Sequence, residues 1–245
     1  MASVLDVAAI SMSGDMRRVE AVAHNIANVA TPGFKRMLSA SGSAAVSVAG
    51  AAADRAADTS AGIGVSAMLN TDLAAGRLSQ TGNSLHLALA GNGFFTLRAG
   101  EKMLFTRAGA FERADDGRLV NPEGAALQAD GGDLVVGAGP LTVTADGTVI
   151  EGDRPLGRLQ IVDFGERPLL VRAGASSFHA DPASATRVDT PIVKQGFLEA
   201  ANVDAGREMV HLIEAMRRFE LGQKLALAHE DMMDRALRRI GDLQG

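Results

Sequence analysis

The side chains best suited to chemistry in this chain are its five histidines, His24, His86, His179, His211 and His229. They are scattered, and no two stand at the one-turn spacing by which a helix presents a pair of ligands to a metal. Cysteine is absent, which excludes thiol catalysis, Cys-ligated zinc and disulfides. An enzyme needs a nucleophile with a base, a metal set or a phosphate loop, and none of these is legible. Gly91 and Gly93 lack the spacing and the following helix of a dinucleotide fingerprint, and read as a turn. What remains is the chemistry of caps and contacts. Asn25, Asn28 and Thr31 stand where a first helix should stop, and Gln223 and Glu230 lie seven residues apart on a last one. No catalytic, cofactor-binding or metal residue is expected, and no small-molecule substrate.

The element that carries Gln223 and Glu230 runs from Asn202 to Gly241 without a proline. Met209, Leu212, Met216, Phe219, Gln223, Ala226, Glu230, Met233, Leu237 and Ile240 recur at alternating steps of three and four, a coiled-coil seam that is apolar except at the two polar residues. At about 1.5 Å per residue the helix is a rod of roughly 55 to 60 Å that needs a partner for its apolar face. Acids one turn ahead of bases (Glu214 to Arg218, Glu220 to Lys224, Asp231 to Arg235, Asp234 to Arg238) contribute about 0.2 to 0.5 kcal/mol each. Asn202 is expected to cap the helix, with Asp204 in its first turn. Gln223 and Glu230 have two readings: a seam that drifts and lets both reach solvent, or a polar contact across a helix interface that specifies one register.

Residues Ser3 to Ala30 repeat the pattern through Leu5, Ala9, Met12, Met16, Val19, Ala23, Ile26 and Ala30, and Thr31-Pro32-Gly33 ends it. The two terminal helices are expected to pack on each other and on copies from neighbouring subunits. Between them, residues 37–77 turn into aperiodic Ala, Ser and Gly, the composition of a flexible linker or a segment that orders on assembly. Residues 78–192 read as short strands bounded by glycine turns. Leu85, Leu87 and Leu89 alternate as a half-buried strand, and Asn92-Gly93 and Asp146-Gly147 signal hairpins. The expected fold class is α+β: a discontinuous helical coiled-coil domain built from residues 1–36 and 193–245, and an all-β middle domain.

The chain has 47% apolar residues, nine phenylalanines with no Trp or Tyr, and a formal charge of −5. That is enough for a core, and it argues against nucleic acid, whose phosphates call for a basic patch. No apolar run approaches the roughly 18 residues of a membrane span. The amino terminus has no cationic region before an apolar one, so no secretory signal is read.

Three stretches carry a resemblance. NIANVATPGFKR (Asn25 to Arg36) resembles the amino-terminal signature of the flagellar basal-body rod and hook proteins, with Asn25, Asn28, Thr31, Gly33, Phe34 and Lys35 on characteristic positions. TGNSLHLALAGNGFF resembles the opening of that family's middle domain. QGFLEAANVD followed by EMVHLIEAMRRFE is similar to its carboxyl end, with Ala201 in place of the usual serine. The resemblance implies a structural subunit with no cofactor that assembles axially with copies of itself and other rod subunits and transmits torque. Length and the carboxyl-terminal wording point to the proximal rod, with the distal rod as the alternative. It further implies passage through the flagellar type III export apparatus and assembly in the periplasmic space, without direct membrane insertion. The assembly interface it implies comprises Asn25, Asn28, Thr31, Gly33, Phe34 and Asn202, with Met209, Ile213, Met216, Phe219, Gln223 and Glu230 along the last helix. Outside the family, a β-domain adhesin or binding module on a coiled-coil stalk is the competing reading. A hydrolase on a β scaffold is disfavoured by the missing nucleophile and metal sets.

Overall fold

The computed structural model describes residues 4–38, 70–165 and 170–241. Most of the expected linker, 39–69, therefore lies outside the described residues. The chain divides into two compact units, one made of 1–27, 37–72 and 204–245, the other of 28–36 and 73–203.

The first unit is helical. Helix α1, Val4–Ala27, and helix α2, Ala205–Gly241, pack on each other. Asn25 of α1 meets Glu208 of α2, and Met12 lies against Gly222, so the helices run antiparallel. Continuing that register sets the start of α1 opposite about Glu230, and the remainder of α2 runs past it. A short antiparallel pair, Met37–Leu38 with Asn70–Thr71, completes the unit.

Two helix boundaries differ from expectation. α1 stops at Ala27, not Ala30, because the Asn28 carbonyl accepts the Thr31 N–H at 3.0 Å in a turn that the following proline enforces. α2 starts at Ala205, and its cap is Asp204, whose carboxylate accepts the Arg207 N–H at 3.1 Å. Asn202 is not the cap.

The seam also shifts. On α1 the inward line is Ala8, Met12, Asp15, Val19 and Val22; on α2 it is Glu208, Leu212, Ala215, Phe219, Gly222 and Ala226. Among the expected seam positions whose side chains are described, six, Met12, Val19, Ile26, Leu212, Phe219 and Ala226, turn inward. The other nine, Ala9, Met16, Ala23, Ala30, Met209, Met216, Gln223, Glu230 and Met233, are exposed. The helices face each other through small and polar residues: Ala215 is fully buried, and Gly222 lets Met12 approach until a Cβ there would stand 2.7 Å from its Cγ. The two helices thus pack at heptad spacing through smaller side chains than those of the expected seam. Of the acid–base pairs, Asp231–Arg235 closes at 3.5 Å, while Glu214 lies 3.7 Å from His211.

The second unit is antiparallel β. A ten-stranded sheet contains the path Val171–Arg172, Ser177–His179, Lys102–Thr106, Phe94–Ala99, Ala126–Ala129, Leu119–Val120 and Glu112–Arg113, with Ile161–Asp163 also pairing Phe94–Ala99. A three-stranded sheet (Leu141–Val143, Thr148–Glu151, Arg154–Arg158) and two strand pairs, Leu87–Leu89 with Val193–Gln195 and Leu78–Gln80 with Phe197–Glu199, accompany it. Period-two alternation sends Phe95 and Leu97 into one apolar cluster with Phe111, Leu127 and Ile161, and Phe94 into another with Phe105, Val162 and Phe178. Phe95 and Phe111 meet edge to face at 5.6 Å. The Gln195 amide accepts the Val143 N–H and donates to the carbonyls of Leu141 and Ser84, tying the three-stranded sheet to its neighbour.

Asp146-Gly147 closes the expected hairpin, with Val143 opposite Val149. Asn92-Gly93 does not: the strands on either side of it pair elsewhere, Leu87–Leu89 with Val193–Gln195 and Phe94–Ala99 with Lys102–Thr106. Nor is Leu87–Leu89 half-buried, since all three of its residues are covered.

Candidate functional site

Within the β unit, the residues after α1 form a buried charged joint. Gly33 has φ +67 and lies so close to Ala108 that a Cβ would sit 2.2 Å from its nitrogen, so only glycine fits this backbone. Its N–H donates to the Glu199 carbonyl at 2.7 Å. Phe34 is wholly buried, with the Arg172 guanidinium 4.9 Å from its ring centre. Lys35 is also wholly buried; its ammonium donates to Glu199 at 2.6 Å and to the Ala74 carbonyl at 2.7 Å. Glu199, 1% exposed, further accepts the Gly76 N–H at 2.8 Å and Arg107 at 3.4 Å. Burial pushes the Arg107 guanidinium down from its ordinary value, opposed by the charge and hydrogen bond of Glu199. Burial likewise lowers Arg172, which donates to the Lys35 carbonyl at 2.6 Å. Asn202 accepts the Arg36 N–H at 2.7 Å and donates to the Ala74 carbonyl at 3.0 Å, so it fastens this joint instead of capping a helix.

Within the helical unit, Asn25 is wholly buried. It accepts the Met37 N–H at 2.8 Å and donates to the Met37 carbonyl and to Glu208, at 3.0 and 3.1 Å. Three elements are thereby joined by one amide. The outer faces of the pair are the opposite in character: Ile10, Met16, Met209, Ile213, Met216, Leu221, Leu225, Leu227 and Met232 are each more than half exposed. Monomeric proteins seldom leave so continuous an apolar surface to water.

The expected interface residues therefore separate. Asn25, Gly33 and Phe34 are buried inside their own units of the single subunit. Asn28 accepts the Thr31 hydroxyl at 3.2 Å and shapes the turn after α1. Phe219 is partly covered, whereas Met209, Ile213, Met216, Gln223 and Glu230 are exposed. Gln223 and Glu230 accordingly make no register contact between α1 and α2. Sequence reasoning placed Lys35, Glu199 and Glu208 within the family's motifs without assigning them to a site, and passed over Arg107 and Arg172. The signal was there for two of them: Lys35 and Glu199 are opposite charges set directly beside apolar residues in GFKR and GFLEA.

Among the described residues, no group of three or more His, Asp or Glu side chains converges as a metal site, and no helix is long and apolar enough to cross a membrane. The two joints hold backbone in place, and the exposed chemistry is apolar helix surface. Together they define a subunit built for assembly. Residues 194–239 match the family described as flagellar basal body rod FlgEFG protein C-terminal, and 88–151 match the flagellar hook protein FlgE/F/G D1 domain. The flagellar basal-body rod protein FlgG of Agrobacterium fabrum is 31% identical, over 93% of this chain and 95% of its own length. FlgF of Caulobacter vibrioides is 30% identical over 93% of each chain, and FlgF of Mesorhizobium japonicum 28% over 95% and 96%. The chain belongs to the flagellar basal-body rod protein family.

Proposed function

We propose that the chain is a structural subunit of the flagellar basal-body rod that assembles with rod and hook subunits and with copies of itself. The observation that carries this is the exposed apolar surface of the terminal helix pair, on a chain aligned nearly end to end with rod proteins. Burying such a surface releases about 25 cal/mol per Å², and axial stacking of like subunits buries it on both sides. In the assembled state the helices form the inner, coiled-coil layer and the β domain of residues 78–192 the outer one. The role is mechanical: torque passes through the subunit, with no turnover and no cofactor. Subunits reach the periplasmic rod through the flagellar type III export apparatus.

The proximal rod is the favoured position, supported by length and by the FlgF relatives. The distal rod is the second reading, supported by the FlgG relatives. Quantitative mass spectrometry of purified hook and basal-body complexes tests both. A few copies per particle, fewer than the distal rod subunit, uphold the proximal position, and an abundant chain is distal. Absence from the particle while the cell contains the chain would sink the rod reading and raise the binding-module one.

A further inference from the structure

The heptad lines of the helices are split by the fold, and the exposed halves make a surface of their own. In an antiparallel pair, matching flanks of the two helices fall on the same side. With Asn25 opposite Glu208 and Met12 opposite Gly222, Met16 falls level with Met216 and Ala23 with Met209. One flank is thus an apolar strip two helices wide, to which Ile213 adds. The other flank belongs to α2 alone: Leu221, Leu225, Ala228 and Met232, all exposed, at steps of four, three and four. At about 100° per residue, the first strip lies roughly 100° to one side of the buried line and the second roughly 130° to the other. Their borders carry opposite charge. Exposed Glu220 and Glu230 follow the first strip, and exposed Arg218 and Arg235 bracket the second, with Glu214 beyond it held near His211.

We infer that the second strip of one copy docks on the first strip of the next, a contact between different faces of identical chains; this rests on the rod-subunit reading. Three observations point to a second copy as the occupant. The wide strip continues the α1–α2 packing, its charges are complementary to those of the other strip, and both strips are on every chain. A contact between unlike faces leaves one face of each kind free at the ends, so it propagates as an open stack and does not close as a dimer. Copies related by such a stack share polarity. Their apolar segments, 209–216 and 221–232, then match when neighbours are offset by about two heptads, roughly 20 Å at about 1.5 Å per residue. That offset sets Arg235 level with Glu220 of the neighbour.

The absence of cysteine makes the test clean. Ile213→Cys and Ala228→Cys chains, level with each other at this offset, are co-expressed, and disulfides are mapped after mild oxidation in isolated basal bodies and in concentrated full-length chain. The expected product is the mixed 213–228 disulfide, in excess over both homodimers. Homodimers at equal or greater yield in either sample, or no disulfide in basal bodies that contain the chain, overturn the pairing. A mixed disulfide in the concentrated chain, with the chain missing from basal bodies, upholds the pairing and sinks the rod reading. As a second arm, Glu220→Arg should cut the mixed product about two- to five-fold, the scale of an exposed ion pair, and adding Arg235→Glu should restore it. Loss without restoration counts against the offset.

Discussion

Glu199 holds Lys35 at 2.6 Å and Arg107 at 3.4 Å in a site where all three are nearly or wholly buried. A buried pair is weak evidence of net stabilisation, because desolvation opposes attraction, but removing one partner strands the other. Glu199→Gln keeps the shape and the acceptor for Gly76 while stranding two cations. Urea denaturation of the full chain should show a loss of about 3 to 5 kcal/mol; a loss under about 1 kcal/mol would mean that the cations find other partners. Asp133 is a second charged residue with a measurable signature. It accepts from Arg98 at 2.7 Å and from Gln128 at 2.7 Å, and Arg98 foremost holds its carboxyl well below the usual carboxylate range. A folded-state pKa below the unfolded one stabilises fully above about pH 4 and is lost as pH falls toward the folded value. Asp133→Asn should therefore be less stable than the wild type at neutral pH and should lose less on acidification from pH 5 to 2. Parallel acid profiles would contradict this.

At the scale of elements, the helix pair is governed by what its inner line lacks. Gly222 and Ala215 bring the backbones together, and the larger Met209 and Met216 are left on the flank. Gly222→Leu gains about 0.8 kcal/mol of helix propensity, but it drives a side chain into Met12, and overpacking of that kind costs about 1 to 3 kcal/mol. The clash should win: thermal melts followed by circular dichroism should show earlier loss of helix in Gly222→Leu, and Met12→Ala should restore it. A variant that melts later would mean that the helices can part and repack freely. Among the strands, Asp146-Gly147 closes a hairpin as its dipeptide signals, because both flanking runs find their cross-strand partners locally. Asn92-Gly93 carries the same signal and makes only a bend. Its leading strand, Leu87–Leu89, pairs instead with Val193–Gln195 from far along the chain, a choice that no window of sequence contains.

For the whole molecule, the free chain keeps a packed β core while its helices expose apolar flanks. Elements with few buried contacts open most readily. Limited proteolysis of the free subunit should cut in α2 first and leave a fragment spanning about residues 79–190, and the same sites should be protected in intact basal bodies. Equal protection of α2 in the free and assembled states would argue against assembly through this face.

The class of each region and the family were legible in the residues alone. Heptad spacing marked two terminal helices, alternation and glycine turns marked a β middle, and motifs at three places agreed on rod proteins. These signals are local, and each follows from the period of its own element. The tertiary structure alone decided which side of each helix turns inward. A line of Met and Ile is the stronger sequence signal, yet Asn25, Glu208, Ala215 and Gly222 form the inner contact because hydrogen bonds and close backbone approach are possible only there. It also decided that Lys35 meets Glu199 across 164 positions and that Asn202 fastens a joint. Charges so far apart in the chain have no shared periodicity, and only the fold brings them within reach.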